Sequence, residues 1–230
     1  MRARRFLIVR LSAIGDVIHT LPALMDLRSA FPGSQVDWLV EPASAGLLRN
    51  SNALDRVIEI STRGWRSAPF SPATWKDILE TVRLLRQRRY EAAFDFQGLL
   101  KSAWLARASG AEQVFGANTE DLRERSARLF YHRQAPASGN VHRIERYRGI
   151  LSLLGLRPSG PACYPDRLWG PEEERSVEIH LKNIPGDFVI VNPGAGWPTK
   201  IWPPDRLGQL ARLIHRHYGH SLVCTWGPGE

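Results

Sequence analysis

The chain has 230 residues, 43% of them apolar and 23% charged, so it is too hydrophobic for intrinsic disorder and long enough to bury a sizeable core. Its formal charge of +8 points to an acidic partner, while Cys163 and Cys224, far apart and without CxxC spacing, exclude a disulfide framework or a cysteine zinc site and fit a reducing compartment. The basic start carries an apolar run only over 6–9 before Arg10 interrupts it, and no stretch reaches the ~20 apolar residues of a membrane span, so the expectation is neither a secreted nor a transmembrane protein.

In chain order, a β-favouring run at 6–9 is followed by a loop at 10–15 and a helical stripe of Val17, Leu21, Leu24 and Arg28, in which Pro22 predicts a kink or a restart capped by Thr20. Strands are expected at 35–40 and 57–60, then a polar loop at 62–72 and a helix at 73–89 with a basic end suited to its dipole. A strand at 92–96, a helix at 98–109 and a short strand at 113–116 continue the alternation, and 119–155 reads as mainly helical and basic. Alternating strands and helices predict a parallel doubly wound sheet, whose ligands sit beyond the carboxyl ends of the strands. The segments 12–16, 63–66 and 97–101 all fall there.

A Pro- and Gly-bearing linker at 158–171 separates a first domain, 1–157, from a second beginning at 172. In the second, a charged helix precedes a strand at 188–191, a loop at 192–204, a helix at 205–218 and a strand at 221–225. With only two strands legible, 172–230 reads as the incomplete beginning of a second nucleotide-binding-type domain. Charge follows the same division: 1–157 holds 24 Lys and Arg against 15 Asp and Glu, a net of +9, while 158–230 holds 7 against 8, a net of −1.

Asp16, after Gly15 at a strand-to-helix turn, suits either a helix N-cap or a carboxylate facing the ligand crevice. The loop NPGAGWPTK at 192–200 exposes backbone amides at Gly194 and Gly196 and adds the Thr199 hydroxyl and the Lys200 cation, a set suited to a diphosphate or to a plain tight turn. Glu230 follows the last strand, where a carboxylate holds a ribose hydroxyl or simply closes a turn. His215, His217 and His220 lie at a basic helix end and read as solvated side chains, so no metal site is expected. Arg123, Arg125, Arg128, Arg133, Arg143, Arg146 and Arg148, with Arg63 and Arg66, suit an anionic substrate, a solvated helix face or nucleic acid, although no nucleic-acid recognition motif is present.

Taken together, RLSAIGDVIHTLPAL at 10–24, FDFQGLLKSAWLAR at 94–107, the stretch ending in LFYHR at 129–133, VNPGAGWPTKIWPPDRL at 191–207 and TWGPGE at 225–230 resemble the family 9 glycosyltransferases, especially those acting on the lipopolysaccharide inner core. The resemblance implies a GT-B type α/β fold of two Rossmann-like domains facing a cleft, the second continuing past TWGPGE with a donor loop outside this sequence. It implies inverting transfer of L-glycero-D-manno-heptose from an ADP-heptose donor to a 3-deoxy-manno-octulosonic acid (Kdo) residue on lipid A, without a cofactor or metal. Under it, Asp16 is the general base; Gly194, Gly196, Thr199, Lys200 and Glu230 serve the donor; and Arg63, Arg66, Gln97, Lys101, Arg123, His142 and Arg146 serve the acceptor. Such a protein is expected in the cytoplasm, in peripheral contact with the anionic inner membrane and without a nucleic-acid partner, and the chain as given is expected to be inactive alone. The alternatives are a family member with another nucleotide sugar, or a basic nucleic-acid-binding or non-catalytic fragment.

Overall fold

The structure is a computed structural model that describes residues 4–194 and 198–227, so Gly196 and Glu230 lie outside the described residues. It divides into two compact units, Met1–Gly170 and Pro171–Glu230.

The first unit is wound around a parallel sheet. Its elements run β1 (Arg5–Val9), α1 (Ile14–Ala30), β2 (Gln35–Val40), α2 (Pro42–Ala45), β3 (Arg56–Glu59), α3 (Thr62–Ser67), α4 (Pro72–Arg88), β4 (Ala92–Asp95), α5 (Leu100–Ala108), β5 (Gln113–Gly116), β6 (Arg133–Gln134) and α6 (Arg143–Ile150). The strand order is β3-β2-β1-β4-β5-β6, with every pairing parallel. The order in which successive strands are added reverses between β1 and β4, which opens a crevice beyond their carboxyl ends. Because both faces of a parallel sheet are covered, β1 and β4 are apolar along almost their whole length. Phe6 and Ile8 pack with Leu21, Leu24 and Ile150 on one face; Leu7 and Val9 pack with Leu85, Leu105 and Val114 on the other.

Three local expectations are corrected. The helix at 14–30 neither ends nor restarts at Pro22; Thr20 Oγ1 instead donates to Asp16 O at 2.8 Å within an unbroken helix. An interior proline costs ~3 kcal/mol, and burial of Leu21, Leu24 and Leu27, each worth ~1.5–3 kcal/mol, offsets it. Arg63 and Arg66 stand not on a loop but on the short helix α3, whose N-terminus Ser61 caps by accepting from Gly64 N. The region 119–142 is mostly 3-10 turns, extended chain and the two-residue strand β6 rather than helix.

In the second unit, α7 (Pro171–Leu181) precedes β7 (Phe188–Val191), α8 (Pro204–Tyr218) and β8 (Ser221–Cys224). Strands β7 and β8 pair in parallel, from Phe188 opposite Ser221 to Val191 opposite Cys224. This is a β-α-β unit with α8 as its crossover.

Candidate active site

The chain leaves β1 at Arg10, and the guanidinium there is only 1% exposed. A buried charge needs partners. Arg10 Nη1 donates to Phe96 O at 2.5 Å, its guanidinium lies 5.3 Å from the centre of the Tyr147 ring, and Nη2 pairs with Asp16 Oδ2. The loop between them is fixed from β4's side, where Gln97 Oε1 accepts from Leu11 N at 2.8 Å.

Asp16 does not cap α1. Ala13 holds the N-cap position without a side-chain bond, and Asp16 follows in the first helical turn, where the helix dipole favours a carboxylate. Its side chain, mostly buried, faces three arginines: Arg10 and Arg123 at Oδ2, the latter at 3.2 Å, and Arg143 at Oδ1. Burial pushes the Asp16 pKa up, but the charge of Arg10 and the hydrogen bond and charge of Arg143, with Arg123 adding, carry it below the ordinary carboxylate value. The group is therefore ionised at neutral pH and able to accept a proton once an oxygen is freed.

The turn after β4 supplies the neighbouring wall. Asp95, fully buried at the end of that strand, accepts from Gln97 N at 2.8 Å, from Gly98 N at 3.3 Å and from Tyr131 OH at 2.7 Å, and lies 3.0 Å from Ser102 Oγ. Gly98 has φ +68°, and a Cβ there would meet Leu122 Cδ2 at 3.0 Å, so the turn requires glycine. Gly116 is needed for a second reason: a Cβ there would lie 2.2 Å from the Tyr131 ring that packs over it.

Lys101, on the first turn of α5, donates to Thr62 Oγ1 at 2.8 Å and stands 3.9 Å from Glu41 Oε1, which also accepts from Thr62 N. Burial pulls the Lys101 pKa down; Glu41 opposes this, and the charges of Arg66 and Arg63 reinforce it. Positive charge therefore converges on this corner. A cavity of about 620 Å³ opens over it, lined by Ser12, Arg66, Gln97, Lys101, Arg123 and Glu124 together with the apolar Leu99, Leu100, Trp104 and Phe130. Beside Asp16, a smaller cavity of about 90 Å³ is lined by Arg10, Gln97, Asp121, Arg123, Arg143, Arg146 and Tyr147 among others.

The expected acceptor-side residues are thus gathered unevenly. Arg66, Gln97, Lys101 and Arg123 share the larger cavity, and Arg146 joins Gln97 and Arg123 in the smaller one. Arg63 is exposed and reaches the corner through its charge on Lys101. His142 caps α6 by accepting from Ile144 N at 3.3 Å and packs edge-on against the ring of His19, 5.6 Å away. In the second unit, Thr199 and Lys200 are exposed on a 3-10 turn beyond the carboxyl end of β7, with Gly194 in the loop leading to it. Among the described residues no group of three or more His, Cys, Asp or Glu could hold a metal ion.

The sequence alone gives Arg10, Asp95 and Tyr131 no role, and places Arg143 in the basic stretch without joining it to Asp16. Arg10 and Asp95 carry a signal, since each places a charge at the end of an apolar strand; Tyr131 lies within the LFYHR stretch, but nothing in that pattern ties it to Asp95.

The sequence model of a family described as "Glycosyltransferase family 9 (heptosyltransferase)" matches residues 78–230. The chain is 39% identical over 226 residues to lipopolysaccharide heptosyltransferase 1 of Salmonella typhimurium, covering 97% of this chain and 68% of that protein. It is 35% identical over 225 residues to the enzyme of the same name from Pseudomonas aeruginosa, covering 97% of this chain and 61% of that one. The chain therefore spans about three fifths to two thirds of these relatives. Among solved structures, Escherichia coli heptosyltransferase WaaC with ADP-2-deoxy-2-fluoro heptose superposes with a TM-score of 0.80 at 32% identity, covering 98% of this chain and 70% of that one.

Proposed function

Because the chain belongs to glycosyltransferase family 9, with a GT-B fold, we propose that it transfers L-glycero-D-manno-heptose from ADP-heptose to a Kdo residue of the lipopolysaccharide inner core. The observation that carries this reading is a mostly buried Asp16 carboxylate held by three arginines at the switch point of the sheet, one of which, Arg123, also lines a cavity where Arg66, Lys101 and Arg123 outnumber the single carboxylate of Glu124. A carboxylate base next to a cationic cavity suits an acceptor that presents a hydroxyl and carries acidic groups.

The reaction is a single displacement with inversion. Asp16 takes the proton of the acceptor hydroxyl as its oxygen bonds to the anomeric carbon. The bond from that carbon to the diphosphate oxygen breaks, and ADP leaves with the electron pair. We assign the acceptor to Met1–Gly170, with Arg66, Lys101, Arg123 and Arg146 on its acidic groups, Gln97 shaping the wall, and Arg63 and His142 at the periphery. We assign the donor to Pro171–Glu230, where the backbone at Gly194, the Thr199 hydroxyl and the Lys200 ammonium offer the contacts a diphosphate needs. Contact with an anionic membrane face is supported by Leu79, exposed on α4 in one groove with Arg83 and Arg89, and by the exposed Trp75 one turn before it.

Asp16→Asn in the full-length protein tests the base. Asparagine keeps the side-chain shape but cannot take the proton, so kcat should fall ~10²–10⁴-fold with donor and acceptor saturating; stability falls as well, because buried Arg10 loses its charged partner, so the loss of kcat is read on protein shown to be folded at the assay temperature. Near-wild-type turnover removes Asp16 from the mechanism.

A further inference from the structure

We propose that Arg143 is a latch on Asp16 that an anionic group of the acceptor opens, so that the base is freed only when a charged acceptor is in place; this rests on the transfer reading above. The two oxygens of Asp16 are held differently. Oδ2 pairs with Arg10 and Arg123, whereas Oδ1 pairs with Arg143. Arg10 is buried and tied to Phe96 O and the Tyr147 ring, so it stays. Arg143 stands at the first position of α6 with its side chain 46% exposed, held by Asp16 and by a lesser hydrogen bond to Tyr147, so less fixes it in place than fixes Arg10.

Its next anion has a place to sit. Arg143 lines the cavity of about 90 Å³ together with Arg10, Arg123 and Arg146, four cations against the single carboxylate of Asp121. Arg146 Nε is buried there without a hydrogen bond, its nearest carboxylate, Asp121 Oδ1, being 3.6 Å away. A carboxylate or phosphate oxygen entering this cavity would satisfy Arg146 and compete with Asp16 for the Arg143 fork. The exchange replaces one guanidinium–anion pair by another, so it costs little. Asp16 remains charged against Arg10, and Oδ1 becomes available to the acceptor hydroxyl. Before an acceptor arrives, the same latch keeps Oδ1 from activating water against the donor. Arg143 is thus a positioning residue for the base and an anion-binding residue for the acceptor.

The two roles predict effects of opposite sign. In the full-length protein, Arg143→Met should lower kcat/KM for the Kdo-bearing acceptor by about tenfold to a hundredfold, the usual consequence of losing a charge-assisted hydrogen bond. It should at the same time raise acceptor-free ADP release from ADP-heptose above wild type, and raise transfer to an acceptor whose sugar carboxylate is converted to a carboxamide. Arg143→Lys should restore wild-type discrimination between carboxylate and carboxamide in part. A proportional loss on both acceptors with no rise in ADP release overturns the latch while leaving the transfer reading intact, as does a variant identical to wild type. No heptose transfer by the wild-type protein to either acceptor overturns both.

Discussion

At the scale of single residues the site is an exercise in holding one carboxylate charged. Asp16 is legible from its place after Gly15 at a strand-to-helix turn, and Arg123 and Arg143 as members of a basic stretch, but their pairing with Asp16 is not, because they lie 107 and 127 positions away and only the fold brings them to it. Arg10 is the partner whose effect is most direct. With its folded pKa depressed, Asp16 contributes stability above its unfolded pKa, and that contribution is lost as pH falls through the lower folded value. The acid limb of kcat/KM should therefore lie below the ordinary aspartate value of ~3.9, leaving no Asp16 titration visible between pH 5 and 8. Arg10→Met removes the strongest opposing charge while burial remains, so the acid limb should move up. A pH–rate profile measures this, and an unmoved limb would show that Arg123 and Arg143 suffice to hold the carboxylate ionised.

At the scale of elements, the sequence pattern was read well where hydrophobic periodicity is strong. The strands at 35–40, 113–116 and 188–191 coincide with β2, β5 and β7. It was read poorly where tertiary contacts, rather than pattern, set the structure. β6 is two polar residues long, Arg133–Gln134, and is a strand because it pairs with Phe115 and Gly116 on β5; α3 is a helix because Ser61 caps it and Thr62 is bonded to Glu41. The turn from β4 to α5 is the element on which the larger cavity depends, and Asp95 organises it. Asp95→Asn exchanges one accepting oxygen for a donor amide facing other donors, so denaturant unfolding should show a loss of about 1–3 kcal/mol. A smaller loss accompanied by unchanged acceptor KM would mean that the turn is held by packing of Leu122 and Tyr131 alone.

At the scale of the whole molecule, the charge division is the feature that sequence and structure treat alike: the +9 of residues 1–157 supplies the basic side chains around Asp16 and the outer face of α4. No helix of the described residues is long and apolar enough to cross a membrane. The exposed Leu79 in one groove with Arg83 and Arg89, with Trp75 one turn before it, predicts instead that the protein sediments with anionic vesicles and not with neutral ones. Each basic side chain near such a surface contributes ~1 kcal/mol, so Arg83→Gln with Arg89→Gln should weaken binding about thirtyfold. Equal binding of the double variant would move the contact to another face. The transfer reaction itself is the central claim, and the mass of the acceptor tests it most directly. Kdo-bearing lipid A incubated with the full-length protein and ADP-heptose should gain the mass of one heptose with release of one ADP. An acceptor of unchanged mass, or one that gains a sugar in preference from another nucleotide donor, would contradict the account.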